Sequence, residues 1–225
     1  MIPLYDRSPT RHFALATAGL IATCVAAFAW EISIGTHGGV PAYAEMLRDG
    51  GVVPARLVHW RPGVSFSGPI APPLTVLSAM FLHADVMHLA GNMLYLWIFG
   101  HVVENELGPA KFVVFYLLAG AAAAAVQVAV AAGSGLPMIG ASGAIAGILG
   151  AYFVRWPKAR IRTLLFLGFF ARLADVPAWF LLGVWFLLQI LSSVFAGDGP
   201  GVAWWAHIGG FAFGAAVMLV YGLFD

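Results

Sequence analysis

Six apolar segments, separated by short polar or glycine- and proline-rich connections, most constrain what this chain can fold into. They cover about residues 13–30, 76–103, 112–132, 142–155, 176–195 and 204–224. About 20 apolar residues in a helix cross the hydrocarbon core of a bilayer. Only 9% of the residues are charged, against about 25% in a soluble domain, so lipid must solvate much of the surface. The sequence therefore predicts an all-α, multi-pass membrane protein with six transmembrane helices in a single domain, 1–225.

Charge and cysteine content narrow the partners and crosslinks. The net charge of +1 lacks the basic excess typical of nucleic-acid binding, so we expect the lipid bilayer and no nucleic acid as a partner. Cys24 is the only cysteine in the chain, and no internal disulfide can form.

Three stretches outside the spans leave alternatives open. A polar lead, 1–11, followed by an apolar run is also typical of a signal peptide, but no cleavage site follows, so we interpret 13–30 as a retained helix. The long outer loop 35–73 suits either the bilayer interface or a plain exposed loop. Residues 164–174 suit an interfacial stretch or the start of the fifth span.

The distribution of basic residues predicts the orientation in the membrane. With six spans both ends share one side, and eight basic residues fall there against Arg48, Arg56 and Arg61 on the other. The eight are Arg7, Arg11, Lys111, Arg155, Lys158, Arg160, Arg162 and Arg172. We therefore expect both termini in the cytoplasm. The compact chain shows no evident transit peptide, which suggests a bacterial inner membrane.

A small-residue turn, Gly140-Ala141-Ser142-Gly143, opens the fourth apolar segment. The hydroxyl of Ser142 is expected at a helix N-terminus, where free N–H groups and the helix dipole stabilise an anion. The segment is too short to cross the bilayer alone, so it should begin below the surface in a recessed, polar cavity. A serine that merely caps a membrane helix would give the same local pattern.

His207 begins the sixth apolar segment at a depth similar to that of Ser142. Both segments carry glycines four residues apart, Gly143 and Gly147 on one, Gly210 and Gly214 on the other. Such stripes let two helix backbones approach closely. The imidazole should then reach the hydroxyl, which is the minimum arrangement for nucleophilic acyl transfer.

His88 and Asn92 lie four residues apart and so share a helix face. An imidazole and an amide in one cavity can both donate to a developing oxyanion, alongside the N–H of Ser142. Helix–helix hydrogen bonding is the alternative role. His83 and His88 are awkwardly spaced for joint metal ligation from one helix face, and no His-Glu-x-x-His motif occurs, so we expect no metal site.

Together these residues resemble the rhomboid family of intramembrane serine proteases over about residues 75–220. His88 to Asn92 matches the family's His-x-x-x-Asn motif, and Gly140 to Gly143 matches Gly-x-Ser-Gly. The sixth-span motif is matched by Ala206, His207, Gly210 and Gly214. His83 is similar to a histidine before the second span, and Gly100 and Glu104 to a glycine and glutamate at its inner end.

The resemblance implies a six-helix rhomboid-type bundle that cleaves transmembrane protein substrates without a cofactor. Ser142 would be the nucleophile and His207 the general base and acid, forming a dyad and a covalent acyl-enzyme. His88, Asn92 and the Ser142 N–H would form the oxyanion hole. Gly140, Gly143, His83, Glu104, Gly210 and Gly214 would support the site.

Two departures from the family pattern leave questions about positioning. Many relatives carry a tyrosine one turn after the serine, packed on the histidine ring, but this chain has Ala146 there. Another group, such as Trp204 or Tyr152, must then orient His207. The pair Trp60-Arg61 resembles a recurrent pair of the family's first loop but lies too far before His83 to be equated with it.

Two other functions are compatible with the same residues. A catalytically inactive relative would bind membrane-protein clients without cutting them, although such relatives typically lack the serine or the histidine. A channel or transporter would use the polar cavity for a small solute, but it should show an inverted repeat or paired broken helices, and the sequence has no evident repeat.

Overall fold

The computed structural model describes residues 1–6, 8, 12–63, 65–66, 68–167, 170–195 and 202–223. Within them the strands are β1 (Ile2–Asp6), β2 (Arg160–Leu167) and β3 (Phe170–Pro177). The α-helices are α1 (Leu15–Gly50), α2 (Pro54–His59), α3 (Thr75–Ser78), α4 (Val86–Tyr95), α5 (His101–Leu107), α6 (Pro109–Val130), α7 (Ser142–Arg155), α8 (Ala178–Phe195) and α9 (Trp204–Tyr221). Arg7, Arg11, the expected turn at 197–201 and Phe224 lie outside the described residues.

Five helical stretches are long and apolar enough to cross a membrane: α1, Val86–Leu107, α6, α8 and α9. They overlap the predicted first, second, third, fifth and sixth spans, which confirms a multi-pass helical membrane protein. The fourth, α7, has 14 residues and is about 21 Å long. It is shorter than the hydrocarbon core of about 30 Å, in keeping with a helix that begins below the surface.

The first helix is longer than the sequence indicates, because α1 continues through part of the predicted outer loop 35–73. The helix kinks at Gly39, whose φ of +73° is the left-handed conformation that favours glycine. Pro41 then lies in the first turn of the continuing helix, where its missing N–H costs nothing. The turn-forming residues that suggested a loop therefore produce a kink, and the loop proper begins at Gly51.

The second predicted span, 76–103, is interrupted near its start. Short helical turns cover Pro72–Phe81, and the membrane-length helix begins only at Val86. Asp85 is extended, and its carboxylate accepts a hydrogen bond from the His88 N–H at 2.8 Å, capping α4. From α4 the helix continues through a π-helical stretch, Leu96–Gly100, into α5.

A three-stranded antiparallel sheet, ordered β1-β2-β3, makes the molecule mostly rather than wholly helical. Ile2 pairs with Leu164, and Ile161 pairs with Val176. These strands fall within the predicted polar lead 1–11 and the stretch 164–174, for which the sequence analysis indicated no strand. The missed signal is the alternation of Arg160 and Arg162 with buried Ile161 and Thr163, since successive strand residues face opposite sides.

The centre of the bundle is α7, in which every residue from Gly143 to Tyr152 is buried. A helix that is apolar on all sides must be enclosed by others, and α6 and α9 lie against this one. The closest approach is to α9: a Cβ added at Gly210 or Gly214 would collide with the carbonyl oxygen of Gly143 or Gly147. The two glycine stripes thus set the distance between α7 and α9.

Candidate active site

Ser142 is the first residue of α7, and glycine at position 140 shapes the turn before it. Gly140 has a φ of +116°, and its N–H donates to the carbonyl of Ala79 at 2.8 Å. A Cβ at this position would lie 2.7 Å from Nε2 of His88. Only glycine therefore suits both the backbone conformation and the close approach of the imidazole.

A cavity of about 830 Å³ opens beside this turn. Its lining is mostly apolar and comes from α1, α3, α4, α6, α7, α8 and α9 together with the segment before Ser142. The polar side chains in the lining include those of Asp85, His88, Asn92, Ser142, Gln189 and His207. A mostly apolar cavity with a few convergent polar groups is typical of a ligand or substrate site.

The side chains of Ser142 and His207 are hydrogen-bonded to each other. The serine Oγ and the histidine Nε2 are 2.8 Å apart, and His207 is 8% exposed. This contact follows from the close packing of α7 on α9, because each residue lies near the N-terminal end of its helix. The two residues predicted to form the dyad are thus within reach for proton transfer.

Gln189 is a site residue that the sequence analysis missed. It lies on α8, is 6% exposed, and its Oε1 is 2.7 Å from Nδ1 of His207. The signal that could have revealed it is a single amide within the otherwise apolar Trp179–Ile190 stretch, since polar groups inside a span are costly.

Aromatic rings also border the His207 imidazole. Trp185 lies with its ring centroid 5.9 Å away, and Trp204 contacts the imidazole edge-on at 6.1 Å. The expectation that Trp204 approaches His207 agrees with this geometry. Tyr152, the other expected candidate, instead packs on Phe99 and donates its hydroxyl to Asp6.

His88 and Asn92 lie beside the turn that carries Ser142. Nε2 of His88 and Nδ2 of Asn92 are 2.7 and 3.6 Å from the point where a Gly140 Cβ would be. The Ala84 N–H faces Nδ1 of His88 across a long 3.5 Å, which favours the tautomer with hydrogen on Nε2. Within the described part of the chain, the buried Nδ2 of Asn92 has no hydrogen-bond partner.

The expected supporting residues occupy three separate places. Gly140, Gly143, Gly210 and Gly214 shape the turn and the α7–α9 contact described above. Glu104 lies at the far end of the second span, where its carboxylate accepts bonds from Ala16 and Thr17. It therefore supports the fold at a distance from the cavity, which it does not line.

His83 lies outside the spans, just before α4, and is fully buried. Its ring is 5.2 Å from that of His88. The five-residue spacing would place the two rings on different faces of one helix, but His83 lies before α4 begins, so its ring can approach that of His88. Burial, with a smaller contribution from His88, lowers the pKa of His83 to about 4. Among the described residues, no group of three or more potential metal ligands occurs.

These features define a class of protein: a multi-pass membrane protein with a hydrogen-bonded serine–histidine pair beside a cavity among its helices. The family model described as "Rhomboid domain" matches residues 73–224. The chain therefore belongs to the rhomboid family, which confirms the resemblance found in the sequence. The first helix, α1, precedes the matched region.

Individual relatives are 30% to 42% identical to this chain over the stretches that match. The bovine (Bos taurus) presenilin-associated rhomboid-like protein, mitochondrial, is 33% identical over 148 residues, covering 62% of this chain and 36% of that protein. Rhomboid protease GluP of Bacillus subtilis is 42% identical over 76 residues, 34% of this chain and 14% of GluP. Yeast (Saccharomyces cerevisiae) rhomboid protein 1, mitochondrial, is 30% identical over 101 residues, 43% and 29% of the two chains. The chain thus spans about a third or less of each of these relatives.

Proposed function

We propose that this protein is an intramembrane serine endopeptidase that uses Ser142 and His207 as a catalytic dyad. The observation that carries the proposal is the 2.8 Å hydrogen bond between Ser142 Oγ and His207 Nε2, beside a cavity within the helical bundle. A hydroxyl is a weak nucleophile until an adjacent base accepts its proton, and this pair meets that requirement.

The reaction would proceed in two acyl-transfer steps. His207 Nε2 accepts the hydroxyl proton as Ser142 Oγ attacks the substrate carbonyl carbon, and the imidazolium then protonates the departing amine. Water attacks the resulting ester with His207 again as base, which releases the acid and restores the serine. His88, Asn92 and the Ser142 N–H, all beside the Gly140 turn, would donate to the oxyanion in both steps.

The proposed substrates are transmembrane segments of other membrane proteins. Support comes from the family membership and from the location of the cavity among membrane-length helices. A helix conceals its carbonyl carbons in hydrogen-bonded turns, so the substrate must unwind locally before Ser142 can attack. Segments with helix-destabilising residues near the cleaved bond are therefore favoured.

The proposed topology has the N-terminal strand on the side rich in basic residues. Pairing of β1 with β2, which carries Arg160 and Arg162, supports this. The bacterial inner membrane expected from the sequence is not supported by the mitochondrial names of two relatives, whereas GluP is bacterial. We therefore propose an integral membrane protein without assigning the organelle or cell membrane.

The second candidate is a client-binding protein that has lost catalysis. It is favoured by relatives such as the bovine protein, which is named rhomboid-like rather than protease. In that case Ser142 and His207 would remain hydrogen-bonded but would not cleave a bound protein. The two candidates differ in one measurable property, which is the reactivity of the Ser142 hydroxyl.

The test is covalent labelling of the purified protein by a fluorophosphonate probe in detergent micelles. We expect labelling of the wild type and none of Ser142→Ala or His207→Ala, with all three proteins equally folded by circular dichroism. Cleavage of a transmembrane peptide in proteoliposomes should follow the same order. A Ser142→Ala protein that still cleaves would refute the dyad, and a folded wild type that neither labels nor cleaves would favour client binding.

A further inference from the structure

We propose that Gln189 is a positioning residue that holds His207 in the one neutral tautomer able to accept the Ser142 proton. The catalytic consequence rests on the proposed protease function, whereas the tautomer itself is a property of the resting protein. The proposal starts from a side chain on a third element, α8, that reaches the imidazole from the side opposite Ser142.

The amide of Gln189 is enclosed within the bundle. The residue is 6% exposed, and its Oε1 lies 2.7 Å from Nδ1 of His207, itself 8% exposed. A buried polar side chain costs free energy unless its groups are hydrogen-bonded. Glutamine at this position is therefore stabilised by the imidazole, and the imidazole by the glutamine.

The direction of the amide follows from its second contact. Nε2 of Gln189 donates to the main-chain carbonyl oxygen of Trp185 at 3.1 Å. A carbonyl oxygen can only accept, so the reversed amide would place two acceptors against each other. The oxygen of the amide must therefore face His207.

That orientation determines which imidazole nitrogen carries the hydrogen. Because Oε1 of Gln189 accepts, Nδ1 of His207 must donate and is the protonated nitrogen. Nε2 then has a free lone pair, 2.8 Å from the Ser142 hydroxyl. In the opposite tautomer Nε2 would donate to Ser142 Oγ and could not take its proton.

Gln189 thus supplies a contact that orients the His207 imidazole. Many relatives use a tyrosine at the position of Ala146 to pack on this ring, and the alanine here cannot. Ala146 is fully buried and too small to reach over the imidazole as an aromatic side chain would. A neutral amide is also cheaper to bury among apolar helices than a carboxylate, which would need its own partner. The chain therefore contains a serine–histidine–glutamine series rather than a dyad alone.

The direct test is nitrogen-15 nuclear magnetic resonance of histidine-labelled protein, in which Nδ1–H and Nε2–H tautomers have different shifts. The His207 signals are assigned by their loss in His207→Ala. We expect wild type to show a protonated Nδ1 only and Gln189→Leu to show a mixture. Gln127→Leu is the matched control, because Gln127 accepts from the Ala206 N–H at 3.2 Å on the neighbouring residue. A single Nδ1–H tautomer in Gln189→Leu would overturn the proposal.

The kinetic test compares rates of fluorophosphonate labelling over a range of pH. Gln189→Leu should label about 10- to 100-fold more slowly, since a buried imidazole N–H loses its partner and its orientation. Gln189→Glu should recover most of the rate and move the acid limb of the profile to higher pH, because a carboxylate stabilises the imidazolium. A purely structural glutamine would instead leave Gln189→Leu labelling at the wild-type rate, with both proteins equally folded.

The outcomes separate this inference from the proposed function. Equal labelling of wild type and Gln189→Leu, with the same pH profile, overturns the positioning role and leaves the protease intact. A wild type that never labels overturns the protease, while the tautomer remains measurable and still decides the role of Gln189.

Discussion

At the residue scale, the amide of Asn92 provides a hydrogen-bond donor that is buried beside the candidate site. Its Nδ2 is buried beside the Gly140 turn and, among the described residues, has no partner. A buried donor left unpaired costs about 1–3 kcal/mol. Under the proposed function, the oxyanion that forms during the reaction would accept a hydrogen bond from this donor.

Asn92→Ala should therefore slow the reaction more than it affects folding. We expect labelling and peptide cleavage to fall by about 10²-fold or less, because one oxyanion donor contributes about 2.7–4 kcal/mol and other donors remain. The thermal midpoint should change little, since no bond through Nδ2 is lost. An unchanged rate in Asn92→Ala would remove this residue from the oxyanion hole.

At the scale of elements, contact between α7 and α9 determines whether the dyad can form. The glycine stripes allow the two backbones to touch, and that contact brings Ser142 and His207 within 2.8 Å. Side chains of ordinary size at these positions would separate the helices. The same four-residue spacing that permits packing therefore determines whether the Ser142 and His207 side chains can meet.

Gly214→Ala tests this dependence at a position away from the cavity. The added methyl would collide with the carbonyl oxygen of Gly147, and overpacking of this kind costs about 1–3 kcal/mol or more. We expect a lower thermal midpoint in detergent and a slower labelling rate, because α9 carries His207.

The matched control is Gly19→Ala in α1. A Cβ at Gly19 meets no atom within 4 Å, and alanine is favoured over glycine within a helix by about 0.5–1 kcal/mol. This variant should be unchanged or slightly more stable. Equal midpoints for Gly214→Ala and wild type would contradict the close packing.

At the scale of the whole molecule, a carboxylate from the second span holds the first helix in place. The first turn of α1 has no side-chain cap of its own. Glu104 instead accepts bonds from the N–H groups of Ala16 and Thr17, at 2.9 and 2.7 Å, and from the Thr17 hydroxyl. This contact joins a helix outside the matched region to the rhomboid domain.

Glu104→Ala should consequently destabilise the molecule by at least about 2 kcal/mol, because the buried donors of α1 lose a charged acceptor. Glu106→Ala is the control on the same segment. Its partly exposed ion pair with Arg155 is worth about 0–1 kcal/mol. Detergent unfolding curves measure both. Similar losses in the two variants would contradict the capping role.

What the sequence alone determined is local in origin. Apolar segments of sufficient length must lie in lipid, so composition and order predicted six spans, and five of them correspond to membrane-length helices. The turn before Ser142 and the glycines of α7 and α9 could be recognised because each depends on near neighbours in the chain. The family followed from the same motifs, in order along about residues 75–220, and the family model matches residues 73–224.

What only the tertiary structure decided depends on residues far apart in sequence. The sheet exists because β1 meets β2 across more than 150 positions, and neither strand is distinctive alone. The glycines and prolines after residue 35 predicted a loop, but in the structure the chain kinks at Gly39 and continues as a helix. Gln189 contacts the His207 imidazole because α8 faces it from the side opposite Ser142. The length of an apolar segment can be read directly from the sequence, so the spans were predictable. A hydrogen bond between two elements depends on how those elements pack, so the contact of Gln189 with His207 was not.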